Sequence, residues 1–185
     1  LGLSLAGAGV LSAAYVIRIE PKDYRVTGWT AWVAMQGPNK PNSIWIDNLA
    51  VADDGSVCVA GRSAAGLWQT RNRLADGPPA GDYVAVFRGD LSGVRFCSAL
   101  PGTGAAEASY DKAAWGIITG TVDGHPRVLF VGAATKEGTE SGVTTATPTA
   151  NALQPQFGGG WCDGYAVLLD LSKKPDAAAA PEKPA

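Results

Sequence analysis

Short apolar runs, many rich in Val and Ile, recur along the chain between stretches of Gly, Pro, Asp and Asn. Apolar positions do not return at intervals of three and four residues over any long window. The period of an amphipathic helix is therefore missing, and strands are predicted throughout. Three runs match one another: Ala14–Glu20 (AYVIRIE), Asp82–Arg88 (DYVAVFR) and Gly164–Asp170 (GYAVLLD). Each has a tyrosine second (Tyr15, Tyr83, Tyr165), then a mostly apolar run, then a charged residue. The tyrosines lie 68 and 82 residues apart, so loops of unequal length separate similar units.

A second pattern repeats between the tyrosine runs. Trp45–Val51 (WIDNLAV), Asp53-Asp54-Gly55 and Val57–Gly61 (VCVAG) parallel Trp115–Val122 (WGIITGTV), Asp123-Gly124 and Val128–Gly132 (VLFVG). Two β-branched runs flanking Asp-Gly predict a hairpin, because glycine tolerates the positive φ of a tight turn. A further strand follows each of the first two tyrosine runs, at Tyr24–Val33 and Val94–Leu100. The predicted order is a partial unit over 1–42 with third and outer strands, then a complete four-stranded unit over 43–102. A unit lacking its outer strand follows over 103–172, and an Ala- and Pro-rich flexible tail over 173–185.

A lone four-stranded meander buries too little, whereas meanders packed face to face hide both sides of each sheet. Runs such as Val128–Val131 are apolar without alternation, as strands covered on both sides should be. The expected fold is all-β: propeller-like blades of four antiparallel strands, forming part of a propeller. A β-sandwich is the alternative. With about two units against the four or more blades of a closed ring, other subunits or the remainder of a longer chain are the expected partners. The apolar opening, Leu1–Val10, has no initiator Met or basic leader and reads as the start of a fragment or processed chain. It is too short and glycine-rich for a membrane span.

Charge narrows the function classes. The formal net charge is -2, from 15 basic and 17 acidic residues, which gives no basic face for nucleic acid. The three cysteines, Cys58, Cys97 and Cys162, lack zinc or redox spacing. Cys58 and Cys97 sit within strand runs and are expected to be buried. The single histidine, His125, follows the Asp123-Gly124 turn and cannot build a multi-histidine metal site. Asp53-Asp54 is explained by its turn, and Gly158-Gly159-Gly160 precedes a strand rather than a phosphate-binding helix. No catalytic residue, cofactor or metal site is predicted.

Strand alternation brings the long connections out on one face, where binding usually resides. The candidate partner-binding residues are Trp68, Arg71 and Arg73 in one loop and Phe157 and Trp161 in another. Aromatic and arginine side chains are common interface anchors. The competing reading is that the aromatic rings pin their loops to the blade. Trp68 and Trp161 also suit stacking on a glycan. Trp29 and Trp32, with Tyr24, offer either an edge surface or packing between units.

The stretch Thr147–Asp170 (TPTANALQPQFGGGWCDGYAVLLD) resembles the bacterial β-propeller repeats often called SBBP repeats, and Leu49–Gly61 (LAVADDGSVCVAG) is similar to their strand–turn–strand piece. The similarity covers most of 43–172 and, more loosely, 12–35. The lysine usual in the third strand is replaced by Arg18, Val86 and Leu168, and the inserted loops are longer. The resemblance implies an extracytoplasmic protein (periplasmic, cell-surface or secreted) with no defined enzymatic activity.

Overall fold

The computed structural model describes residues 12–37, 40–74, 81–100, 114–135 and 162–172. Among them there is no helix, and the chain is all-β as its hydrophobic pattern predicts. Strands β1 (Ala14–Ile19) and β2 (Val26–Trp32) form a two-stranded sheet, and β3 (Ala34–Gly37) and β4 (Lys40–Asn42) a small hairpin. A four-stranded meander follows: β5 (Ile44–Val51), β6 (Val57–Ser63), β7 (Gly81–Phe87) and β8 (Val94–Ala99). Strands β9 (Ala114–Val122), β10 (His125–Thr135) and β11 (Cys162–Asp170) make a three-stranded meander. Every pairing is antiparallel.

The repeat seen in the sequence recurs as strand register. Tyr83 lies opposite Gly61 on one side and Ala99 on the other. Tyr165 lies opposite Gly132, and Tyr15 opposite Ala31. The β1–β2 and β7–β8 pairs even break register at the same place, between Arg18 and Ile19 and between Val86 and Phe87. A bulge also recurs beside the shared glycine. Asp47 is skipped between Ile46 and Asn48, and residue 115 between Ala114 and Gly116. Bulges bend a strand locally and are positional features rather than accidents, so their recurrence marks equivalent sheets.

Turn chemistry accounts for the hairpins. Asp123 and Gly124 have φ of 51° and 76°, the left-handed pair of a two-residue turn between β9 and β10. The β5–β6 turn is longer, spanning 52–56, with Gly55 at φ 80°. There the Asp54 carboxylate accepts from the Ser56 amide at 2.9 Å, and the Gly55 amide donates to the Ala52 carbonyl at 2.8 Å.

The four-stranded sheet is covered on both faces. Val57, Val59, Tyr83, Ala85, Phe87 and Cys97 join Ala14, Val16 and Trp32 of the first sheet in one apolar core. Cys58, Ala60, Val84, Val86 and Phe96 join Val128, Phe130, Val167 and Leu169 of the third sheet in the other. Adjacent residues along β6 and β7 thus enter different cores, which is why these strands read as continuous apolar runs. Each fully buried Val or Phe contributes about 2 kcal/mol. Trp32 meets Phe87 across the first junction with ring centroids 4.8 Å apart.

Polar ties hold both junctions. Arg18 donates to the Gly89 carbonyl at 3.2 Å across the first. At the second, Arg95 donates across to the Leu171 carbonyl, while within its own sheet it pairs with Asp54 at 2.7 Å and reaches the Ser56 hydroxyl. Thr119 donates to the Val51 carbonyl at 3.1 Å, and the Thr121 hydroxyl to the Asp53 carboxylate. Of the two turn aspartates, Asp54 thus holds the hairpin and the junction arginine, and Asp53 bonds across to the third sheet.

Cys58 and Cys97 are free and buried, one in each core. Burial pushes both thiols up to about 12, with the nearby Asp54 charge adding to the effect at Cys58. Thiolate, not thiol, reacts with disulfide reagents. A Cys162→Ser chain is therefore expected to show no rapidly reacting thiol by DTNB titration in buffer, and two in denaturant.

Candidate functional site

The second-to-third strand connection of the middle sheet carries three of the candidate residues. Of its described part, 64–74, residues 68–74 lie along the outer edge of β8. The Thr70 amide and hydroxyl donate to the Cys97 carbonyl at 2.9 and 3.1 Å, and the Cys97 amide donates back to the Thr70 hydroxyl at 3.0 Å. Gln69 accepts from the Ala99 amide at 2.9 Å, and the Leu74 amide donates to the Ser98 hydroxyl at 3.0 Å. An edge strand left bare is a template for pairing, and this loop covers it.

The candidates separate accordingly. Trp68 is half-buried against the core shared with the first sheet, and its indole nitrogen has no hydrogen-bond partner among the described residues. Its ring packs against that core. Arg71 is exposed, and Arg73 is half-buried with its amide donating to the Thr70 carbonyl at 3.2 Å. Phe157 and Trp161 lie outside the described residues, as do 101–113 and the tail 173–185. The same end of the molecule carries the β3–β4 hairpin. The Met35 amide donates to the Gly66 carbonyl at 2.7 Å, and the Asn42 side chain to the Ala65 carbonyl at 3.1 Å. A Cβ at Gly66, whose φ is 102°, would lie 2.2 Å from the Met35 carbonyl carbon. Only glycine lets the two connections approach so closely.

A cleft of about 270 Å³ opens between Ser12–Tyr15 and Ile44–Asp47. The Ile44 amide donates to the Ser12 carbonyl at 3.2 Å, and the Ser12 hydroxyl to the Ile44 carbonyl at 3.1 Å. On β5, Asp47 forms a two-point ion pair with Arg62, both distances 3.1 Å. The guanidinium also lies over the Trp45 ring, 5.8 Å from its centroid. Tyr83 reaches across the sheet and donates to the Trp45 carbonyl at 3.0 Å. Burial raises the Tyr83 phenol well above its ordinary value, so it stays a donor. These groups answer one another, and the ion pair fixes the bulge.

The outer faces of the first and third sheets expose apolar side chains. Trp32 and Trp29 take opposite sides of β2: Trp32 packs inward on Phe87, whereas Trp29 is exposed beside Tyr15, Ile17, Ile19 and Val26. Tyr24, in the β1–β2 turn, is also exposed. The third sheet exposes Ile118, Val122 and Leu168. The signal that points to these residues is repeat equivalence, because Tyr15 corresponds to the fully buried Tyr83.

His125 is exposed at the start of β10, opposite Val122. Among the described residues, no three His, Cys, Asp or Glu side chains gather where they would hold a metal ion. No helix among them is long and apolar enough to cross a membrane.

At Asp54, burial pulls the carboxyl's pKa upward. Hydrogen bonds from Arg95 and from the Ser56 amide and hydroxyl, with the Arg95 charge, outweigh that pull and hold it below its ordinary value. A carboxyl held low when folded stabilises the fold above its unfolded pKa of about 3.9. That contribution is lost as pH falls through the lower folded value. Asp90 and Asp170 are also held low, mainly by Ser92 and Ser172 respectively, and act in the same direction. The thermal midpoint is therefore expected to fall as pH drops below about 4, and less steeply in Asp54→Asn. An equal slope in both proteins would remove Asp54 from the acid response.

Comparison of the chain with protein-family models, curated proteins and solved structures returns no match.

Proposed function

We propose that the chain is a non-catalytic scaffold and binding module made of propeller-like blades, working within a larger extracytoplasmic bacterial protein or assembly. One observation carries this reading. Tyr15 faces Ala31 and Tyr83 faces Ala99 in the same register with the same following bulge, and the middle sheet is sandwiched between sister sheets. Sheets that hide both faces against like sheets build a scaffold whose free surfaces are loops and end faces. The resemblance of 147–170 to SBBP repeats supports the extracytoplasmic placement. The connections gathered around Gly66, with exposed Arg71, supply a partner-facing surface. Glycan stacking needs an open ring face, and Trp68 spends much of its ring on the core.

The test is fractionation of the source cells with an antibody against this chain. The expected result is antigen in the extracytoplasmic fraction, within a particle or polypeptide larger than 18.9 kDa. A cytoplasmic antigen of 18.9 kDa that sediments alone would contradict it. So would hydrolytic or redox turnover by the purified chain.

A further inference from the structure

The two outer sheet faces are the two halves of a junction the molecule already makes internally. At the first junction the middle sheet presents Tyr83, Ala85 and Phe87 from β7 and Cys97 and Ala99 from β8, all buried under the first sheet. Shared register identifies their counterparts in the first sheet as Tyr15, Ile17, Ile19, Trp29 and Ala31. Tyr83 is 0% exposed, but Tyr15 is 66% and Trp29 62% exposed.

The opposite face behaves in the same way. At the second junction the middle sheet presents Cys58, Ala60, Val84 and Val86 to the third sheet. Matching Gly61 with Gly132 and Tyr83 with Tyr165 makes their counterparts Leu129, Val131, Ala166 and Leu168. Leu168 is 62% exposed, and Ile118, which pairs with Leu129, is 61% exposed. Apolar area of this kind contributes roughly 25 cal/mol per Å² when covered. Covering the middle sheet's equivalent faces is what builds both cores.

We propose that the outer face of the third sheet of one copy docks on the outer face of the first sheet of a second copy, reproducing the internal junction between molecules. The occupant is a second copy because one polypeptide carries both halves, and at both internal junctions such a face is covered by a sister sheet. The contact joins unlike patches. It therefore propagates head to tail, closing into a ring if the rotation per copy allows and extending as a filament otherwise. This inference rests on the repeat-scaffold reading above.

Sedimentation velocity over a dilution series tests it on the full chain. One variant spoils the first face (Ile17→Glu with Trp29→Glu), and another spoils the third (Ile118→Glu with Leu168→Glu). All four positions are exposed, so circular dichroism of each variant should match the parent. The unmodified chain is expected to associate with rising concentration, to species beyond a dimer. Each variant alone should remain at 18.9 kDa. A mixture of the two should restore one junction and give a 1:1 dimer. A parent chain that stays monomeric overturns the proposal, as do variants that associate like the parent or a mixture that stays monomeric. A monomeric parent leaves the scaffold reading standing, since cell fractionation decides that separately.

Discussion

Gly61→Ala is expected to cost the fold about 4 kcal/mol or more, at the extreme of single substitutions. An added Cβ at this position would lie 2.0 Å from the Trp45 carbonyl oxygen and 2.9 Å from its carbon. Both are backbone atoms of a paired strand, so no side-chain rotation relieves the clash. The Trp45 carbonyl is also the acceptor for Tyr83, and pushing it away leaves a buried hydroxyl unpaired. Typical domains have a total stability of about 5–15 kcal/mol. The variant should therefore show a much lower urea midpoint or fail to fold. Gly120→Ala is the control: a Cβ there meets nothing within 4 Å among the described residues, and Gly120 is not among the positive-φ residues. It should be neutral or stabilise by up to about 1 kcal/mol, since a strand glycine loses more freedom on folding. Equal urea midpoints for Gly61→Ala and the parent would show that β5 and β6 do not approach this closely.

Phe130→Ala is expected to cost about 4 kcal/mol, through lost burial and the cavity left behind. Phe130 is fully buried and stands in the core between the middle and third sheets. The loss should be uneven. Amides of β10 and β11 should exchange with solvent faster, while those of β1 and β2, on the other side of the middle sheet, should change only with global stability. Equal acceleration at all sites would mean that the sheets open as a single unit. Unchanged exchange in β10 would mean that Phe130 does not fill this junction.

Strand order was legible in the sequence because the tyrosine runs and the Asp-Gly hairpins ending in glycine repeat, and in the middle and third sheets that tyrosine and glycine meet across two strands. Tyr83 opposite Gly61 and Tyr165 opposite Gly132 are that signal in three dimensions. Matching Trp45 with Trp115 was a poorer guide. Counted from the shared glycines, residue 115 takes the bulge position of Asp47, because a bulge shifts strand register without changing composition. The β3–β4 hairpin has no apolar run to announce it. It depends on contacts with Gly66 and Ala65, which are distant in sequence. Trp68 illustrates the ambiguity of aromatic loop residues. Its neighbours Gln69 and Thr70 carry polar groups suited to the edge of β8, and that pairing turns the ring toward the core. The opposite facing of Trp29 and Trp32 could have been read from alternation, since three positions separate residues on opposite sides of a strand.

Cross-sheet NOE spectroscopy on methyl-labelled protein tests the stacking of like sheets most directly. Sandwiching predicts that the Val84 and Val86 methyls connect to the cluster containing Val128 and Phe130. The Val59 and Ala85 methyls should connect to that of Ala14 and Val16, from the opposite face of the same sheet. If both sets show contacts only within their own sheet, or if both lead to a single cluster, the middle sheet is not covered on two sides by its sisters.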